Sequence, residues 1–135
     1  MPEALVKFGL QEAVRDFCNS TQSATNLKVV YQPLGENRKL SNTVEVFAYR
    51  IIQELVNNAV KHANATQIIV QLTTNNNKVG IAVEDNGKGF DVNSISNSKG
   101  AGIDNIKYRV QYFNGTIDTV TSVGNGTSIN IELNI

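Results

Sequence analysis

The sequence predicts an α/β domain in which helices pack on one face of a mixed sheet. Three observations predict it. Apolar spacing switches along the chain between the helical period and the strand period. The elements come in the order helix, strand, helix, strand, strand, loop, helix, strand, strand, an order suited to helices layered on one sheet face. The length, 135 residues, is that of a single domain.

Each element has its own reason. Glu3–Asn19 carries Leu5, Leu10, Ala13, Val14 and Phe17 at helical spacing, and Gly9 weakens that helix by about 1 kcal/mol. Leu27–Gln32 reads as a short strand with Leu27, Val29 and Tyr31 on one face. Pro33 and Gly35 then mark a loop. A long helix follows, capped by Ser41 or Asn42, with Glu45 near the positive end of its dipole. Val44, Ala48, Ile51, Ile52, Leu55, Val56 and Ala59 give it a broad apolar stripe, and it runs to Ala63.

Thr66–Thr74 alternates through Ile68, Val70 and Leu72, and Lys78–Glu84 through Val79, Ile81 and Val83. Asn75, Asn76 and Asn77 form the turn of this hairpin, because Asn tolerates left-handed backbone. Asp85–Ala101 is polar and rich in Gly, Asn and Ser, and is expected to be a mobile loop. Gly102–Phe113 returns to helical spacing. Gly115–Thr121 and Thr127–Ile135 finish as two strands around a Gly124-Asn125-Gly126 turn.

Composition excludes several classes of function. Twelve Lys+Arg balance twelve Asp+Glu, so neither a basic nucleic-acid sleeve nor an acidic tail is the main business. A lone Cys18 cannot close an internal disulfide, and one Cys with one His cannot build a structural zinc site. Cys18 is expected to be a packing residue. No apolar run reaches the roughly 18 residues of a membrane span, and no signal peptide opens the chain. The expectation is a monomeric cytoplasmic domain that touches neither nucleic acid nor membrane.

Chemistry must then come from local clusters. Glu54, Asn58 and Lys61 share one helical face with Arg50, beside the apolar stripe. An amide oxygen suits magnesium, a carboxylate can hold metal-bound water or act as a base, and an ammonium neutralises phosphate. A solvated face with ordinary ion pairs is the plain alternative. His62, near the helix end, reads more readily as structural than catalytic. Asp85 stands at a strand end ahead of Gly87 and Gly89, where it could accept from an exocyclic amine while the glycines admit a flat ring. An ordinary Asp-Gly turn is the competing reading. Lys99-Gly100-Ala101-Gly102-Ile103 opens a helix and offers free N–H groups to an anion. It is neither a Rossmann fingerprint nor a P-loop.

The motifs stand in a telling order. Glu54-Leu55-Val56-Asn57-Asn58-Ala59-Val60-Lys61-His62-Ala63 resembles the N box of the histidine-kinase ATP-binding domain. Asp85-Asn86-Gly87-Lys88-Gly89-Phe90 resembles its G1 box, and Gly100-Ala101-Gly102-Ile103, continuing to Arg109, its G2 box. Gly124-Asn125-Gly126-Thr127 resembles the closing glycine-threonine element. The likeness covers nearly the whole chain. Arg50-Ile51-Ile52-Gln53-Glu54 leading into Lys61-His62-Ala63 resembles the nitrate-sensor and membrane-fluidity-sensor subfamily, as does the opening Pro2–Leu10.

The resemblance implies a two-layer Bergerat sandwich, with three helices over a mixed, mostly antiparallel sheet. It implies that ATP and Mg²⁺ bind, with Asn58 as metal ligand and Glu54 as the catalytic residue poised at the γ-phosphate. Lys61 and His62 should approach phosphate oxygens. Gly100 and Gly102, flanked by Lys99 and Ile103, should meet the phosphates. Asp85 should bind the adenine amine in a pocket shaped by Gly87 and Gly89, with Thr127 supporting that end through water. Phe90–Lys99 should be the ATP lid. The family's helical hairpin with the phospho-accepting histidine is absent from these 135 residues. The chain thus resembles the catalytic half of a kinase, with Met1 expected to be an added start. The expected partners are that hairpin and, through the full-length kinase, a response regulator; the parent kinase is allowed a membrane anchor. An anti-sigma-factor serine kinase and a non-catalytic nucleotide-binding docking module are the competing classes. Gyrase-type and chaperone-type ATPases carry long extra segments that this chain lacks.

Overall fold

The computed structural model describes residues 2–90 and 103–135. Its elements are α1 Glu3–Thr25, β1 Lys28–Gly35, α2 Asn42–His62, β2 Gln67–Thr74, β3 Lys78–Asp85, α3 Ile103–Tyr112, β4 Thr116–Thr121 and β5 Thr127–Asn134. The five strands form one sheet in the order β1-β2-β3-β5-β4. β1 runs parallel to β2, and the other three pairings are antiparallel. This is the expected mixed, mostly antiparallel sheet under three helices.

Strand alternation makes the two layers. Ile68, Val70 and Leu72 of β2, Val79, Ile81 and Val83 of β3, and Ile131 and Leu133 of β5 are all buried. Register aligns them into rows: Leu72 lies opposite Ile81, and Ile81 opposite Ile131. α2 lays Ile51, Ile52, Leu55 and Val56 into these rows. The intervening residues form the other face, which carries polar cross-strand pairs. Gln71 donates to Gln32 at 2.8 Å, and Lys78 pairs with Glu132 at 2.9 Å.

Three local expectations are corrected. α1 is broken at Gly9, which leaves helical geometry at φ 82° and ψ 178°. The second piece of α1 continues to Thr25 instead of stopping at Asn19. Its last turns are held from outside: the Gln22 side chain accepts from the Val29 N–H at 2.9 Å, and Asn26 closes the helix in left-handed geometry. β1 runs on through Pro33, Leu34 and Gly35, paired with Leu72, Thr73 and Thr74. It is an edge strand, so the N–H that proline lacks can be spared.

α2 starts as predicted. Ser41 accepts from the Val44 N–H at 3.3 Å. Glu45 is buried, with one oxygen on Lys39 at 2.5 Å and the other accepting from the Leu40 N–H at 3.3 Å. Cys18 is buried among core residues, and burial pushes its thiol up to about 11. Among the described residues, no helix is long and apolar enough to cross a membrane.

α2 packs its apolar stripe against the sheet rows. Ile52→Ala, at a fully buried position, should therefore lower stability by about 2–5 kcal/mol. Urea denaturation of the variant beside wild type measures the loss.

Candidate functional site

The site grows from the end of β3, where the chain passes between α2 and the β4–β5 turn. The Lys88 N–H donates to the Ala63 carbonyl at 2.7 Å, and the Lys88 carbonyl accepts from the Gly124 N–H at 2.6 Å. The passage is narrow. A Cβ on Gly87 would stand 2.1 Å from the Ala63 carbonyl oxygen. One on Gly89 would stand 2.0 Å from the Ser122 carbonyl oxygen, and Gly89 also holds φ 63°. Both glycines that the sequence assigns to this pocket are thus required by the backbone.

Asp85 ends β3, half-buried, opposite Thr127 in the β3–β5 register. Its Oδ1 accepts from the Gly87 N–H at 2.9 Å, an Asx turn that fixes the carboxylate's direction. Burial raises its pKa, while the N–H groups of Gly87 and Thr127 act to lower it. Thr127 is buried, with its hydroxyl 2.9 Å from that of Thr121. Thr121 gives its own hydrogen to the Gly126 carbonyl at 3.0 Å, so Thr127 supplies the hydrogen between the two hydroxyls. Toward any further partner, Thr127 can only accept.

The polar face of α2 leads to the same place. Glu54 is half-buried; its Oε1 accepts from Arg109 Nη1 at 2.7 Å, and its Oε2 is buried without a hydrogen-bond partner among the described residues. Asn58 is half-buried one turn on, and Lys61 and His62 are exposed in the last turn. Phe47 packs edge-to-face on Tyr112 and Phe113, at 5.0 and 5.5 Å. With Glu54 meeting Arg109 further along, α3 runs against α2, and its N-terminal end lies on the side of Asn58 and Lys61. Ile103 opens α3. Lys99, Gly100, Gly102 and all of the proposed lid except Phe90 lie outside the described residues.

Sequence reasoning missed three contributors. Asn86 faces away from the pocket: its Oδ1 accepts from the Thr66 and Gln67 N–H groups at 2.9 and 3.0 Å, tying β2 to the strip. Thr121 accepts from the Phe90 N–H at 3.2 Å. Arg109 was read only as the tail of a motif. Its signal was its position: a charge three residues after buried Ile106 and next to buried Val110 needs a partner.

The family described as histidine kinase-, DNA gyrase B-, and HSP90-like ATPase matches residues 43–135. The signal transduction histidine-protein kinase/phosphatase DegS of Bacillus subtilis is 32% identical over 98% of this chain and 36% of its own length. The sensor histidine kinase ComP of the same organism is 31% identical over 99% of this chain and 18% of its own length. The chain thus spans well under half of these relatives. The histidine kinase domain of a blue-light activated histidine kinase from Erythrobacter litoralis superposes with a TM-score of 0.73. It covers 92% of this chain and 60% of that one at 18% identity, which speaks to the fold.

Two outcomes follow from this geometry. Gly89→Ala should lower the melting temperature, because the added methyl meets a carbonyl oxygen and the φ is unfavourable to alanine; calorimetric melting checks it. Asp85 titrates higher in the folded protein than its ordinary 3.8. Folding therefore favours its neutral form, whose contribution to stability is full below 3.8 and is lost as pH rises through the raised folded value. The stability of Asp85→Asn relative to wild type should accordingly climb across that window. Urea melts at stepped pH read the difference, and a constant offset would count against it.

Proposed function

The chain belongs to the histidine kinase-, DNA gyrase B-, and HSP90-like ATPase family, and on that premise we propose that it is the ATP-binding catalytic domain of a sensor histidine kinase. It binds Mg-ATP and donates the γ-phosphate to a histidine on a separate dimerisation hairpin of the parent protein, from which a response regulator is served. One observation carries the reading. The Lys88–Ala63 hydrogen bond joins the strand end bearing Asp85 to the helix end bearing Asn58 and Lys61, which supports reading the candidate adenine acceptor and the candidate phosphate-and-metal face as parts of one site.

Asp85 accepts from the adenine amine, Gly87 and Gly89 leave room for the ring, and Thr127 accepts from water at that end. Lys61, with His62 beside it, neutralises phosphate oxygens in the last turn of α2. The donor set suits magnesium. Asn58 offers a neutral oxygen, and among the described residues no cluster of three or more His, Cys, Asp or Glu builds a cage. A cation held by Asn58 would therefore keep phosphate oxygens and waters among its ligands, as magnesium does. Once bound, it neutralises charge on the transferring phosphates. In the transfer, a nitrogen of the acceptor imidazole forms the N–P bond while the γ-phosphorus–bridging-oxygen bond breaks and ADP keeps the electron pair. The proton released by the ring passes to Glu54. Positioning and charge neutralisation supply most of the acceleration.

Calorimetry should find ATP bound and GTP bound far more weakly, since guanine presents a carbonyl where adenine presents its amine. Asp85→Asn should weaken ATP binding by roughly 1–3 kcal/mol. Equal affinities for the two nucleotides would rule the adenine role out. Asn58→Ala should leave the melting temperature in place yet abolish phosphotransfer and the Mg²⁺ dependence of nucleotide binding. Full Mg²⁺ dependence in that variant would exclude Asn58 as the ligand.

A further inference from the structure

The ion pair between α2 and α3 deepens the kinase reading, on which it rests. We propose that Arg109 is a positioning residue for phosphotransfer: by binding one oxygen of Glu54 it orients the carboxylate so that the other oxygen, Oε2, faces the reacting groups.

The geometry of the pair carries this. Arginine–carboxylate pairs frequently form two parallel hydrogen bonds. Here one is made, from Nη1 to Oε1 at 2.7 Å. Oε2 is left buried and unpartnered among the described residues, although a dry, unpaired acceptor disfavours folding. Glu45, on the same helix, shows the contrast: both of its oxygens are occupied, by Lys39 and by the Leu40 N–H. Both oxygens of Glu45 are bonded, whereas only one oxygen of Glu54 is.

The support behind Arg109 is rigid. Ile106 and Val110, three residues before it and one after, are each 2% exposed, so packing sets the angle from which its guanidinium arrives. Phe47 against Tyr112 and Phe113 pins the same seam further along. Arg109 and Glu54 side chains are 19% and 26% exposed, which keeps water from screening the pair. Arg109 takes part in no bond-making step. Its effect reaches the reaction only through the direction and charge of Glu54.

The test uses the chain with the histidine-bearing hairpin of the parent protein as acceptor. Arg109→Ala, Arg109→Lys, Glu54→Gln and the double variant Glu54→Gln/Arg109→Ala are compared. Nucleotide affinity is read by calorimetry, and stability by thermal melting. Arg109→Ala should slow phosphotransfer by roughly tenfold or more while the ATP Kd stays within about twofold. Arg109→Lys, which keeps the charge but not the fork, should recover part of the rate. The double variant should be no slower than Glu54→Gln, because the arginine acts only through the glutamate. An unchanged rate in Arg109→Ala overturns the proposal. So does a double variant whose losses multiply, or a rate that falls only in step with melting temperature and affinity. Should Arg109→Ala not fold, Arg109→Lys decides: a slower rate at unchanged Kd supports the proposal, and a wild-type rate overturns it. A wild type that binds no ATP overturns the kinase reading itself, which an indifferent Arg109→Ala in a working enzyme does not.

Discussion

The peptide group of Lys88 joins three parts of the fold. Its N–H donates to the carbonyl of Ala63 and its own carbonyl accepts from Gly124. The Ala63 carbonyl closes α2, where the last carbonyls have no helical partner of their own. Lys88 satisfies it, and so ties the end of the long helix to the end of the central strand. The 2.7 Å contact is open only because Gly87 presents no Cβ to the same oxygen. On the other flank, Gly89 and Gly126 let the β4–β5 turn close over the strip. A larger residue at Gly87 would push the strip that follows Asp85 away from the end of α2, and one at Gly89 or Gly126 would push it away from the β4–β5 turn.

α2 must serve two surfaces at once. Its apolar stripe locks onto the sheet through Ile51, Ile52, Leu55 and Val56, which fixes its rotation about its own axis. Once that rotation is fixed, the helical period leaves Glu54, Asn58 and Lys61 along the flank. α3 borders this flank through the Arg109–Glu54 ion pair. The hydrophobic seam is therefore also what aims the polar face. At the end tied to Asp85, Lys61 and His62 are exposed.

Local periodicity was enough for α2, the β2–β3 hairpin and β5, because each buries its own regular face. It failed where a distant partner decides the outcome. The last turns of α1 are held by Gln22 on Val29, and β1 runs on past Pro33 because Leu72, Thr73 and Thr74 pair with its last residues. Gly9 was weighed as a helix penalty, yet its φ of 82° lies outside any helix. The same division holds in the site. Glu54, Asn58, Lys61 and Asp85 can be proposed from the sequence because spacing on one helix, or position at a strand end, suffices to nominate them. Asn86, Thr121 and Arg109 act through residues 20, 31 and 55 positions away, and no local pattern reports a partner that far off.

On the proposed reading, Asp85 and Thr127 would give the adenine end its selectivity. Asp85 is pushed toward its neutral form by burial, and two backbone N–H groups only partly oppose this. A third donor arriving with a ligand would favour the charged form further. Ligand binding and ionisation are then linked, and each strengthens the other. Thr127 adds to the same bias, because its hydroxyl hydrogen is already given to Thr121 and only its lone pairs remain. With Asp85 ionised, these two side chains present acceptors to a ligand. A base that brings an amine finds them paired, whereas one that brings a carbonyl leaves two acceptors facing a third. Buried acceptors left unpaired are costly, so the preference for an amine comes from the penalty on the wrong base as much as from attraction to the right one.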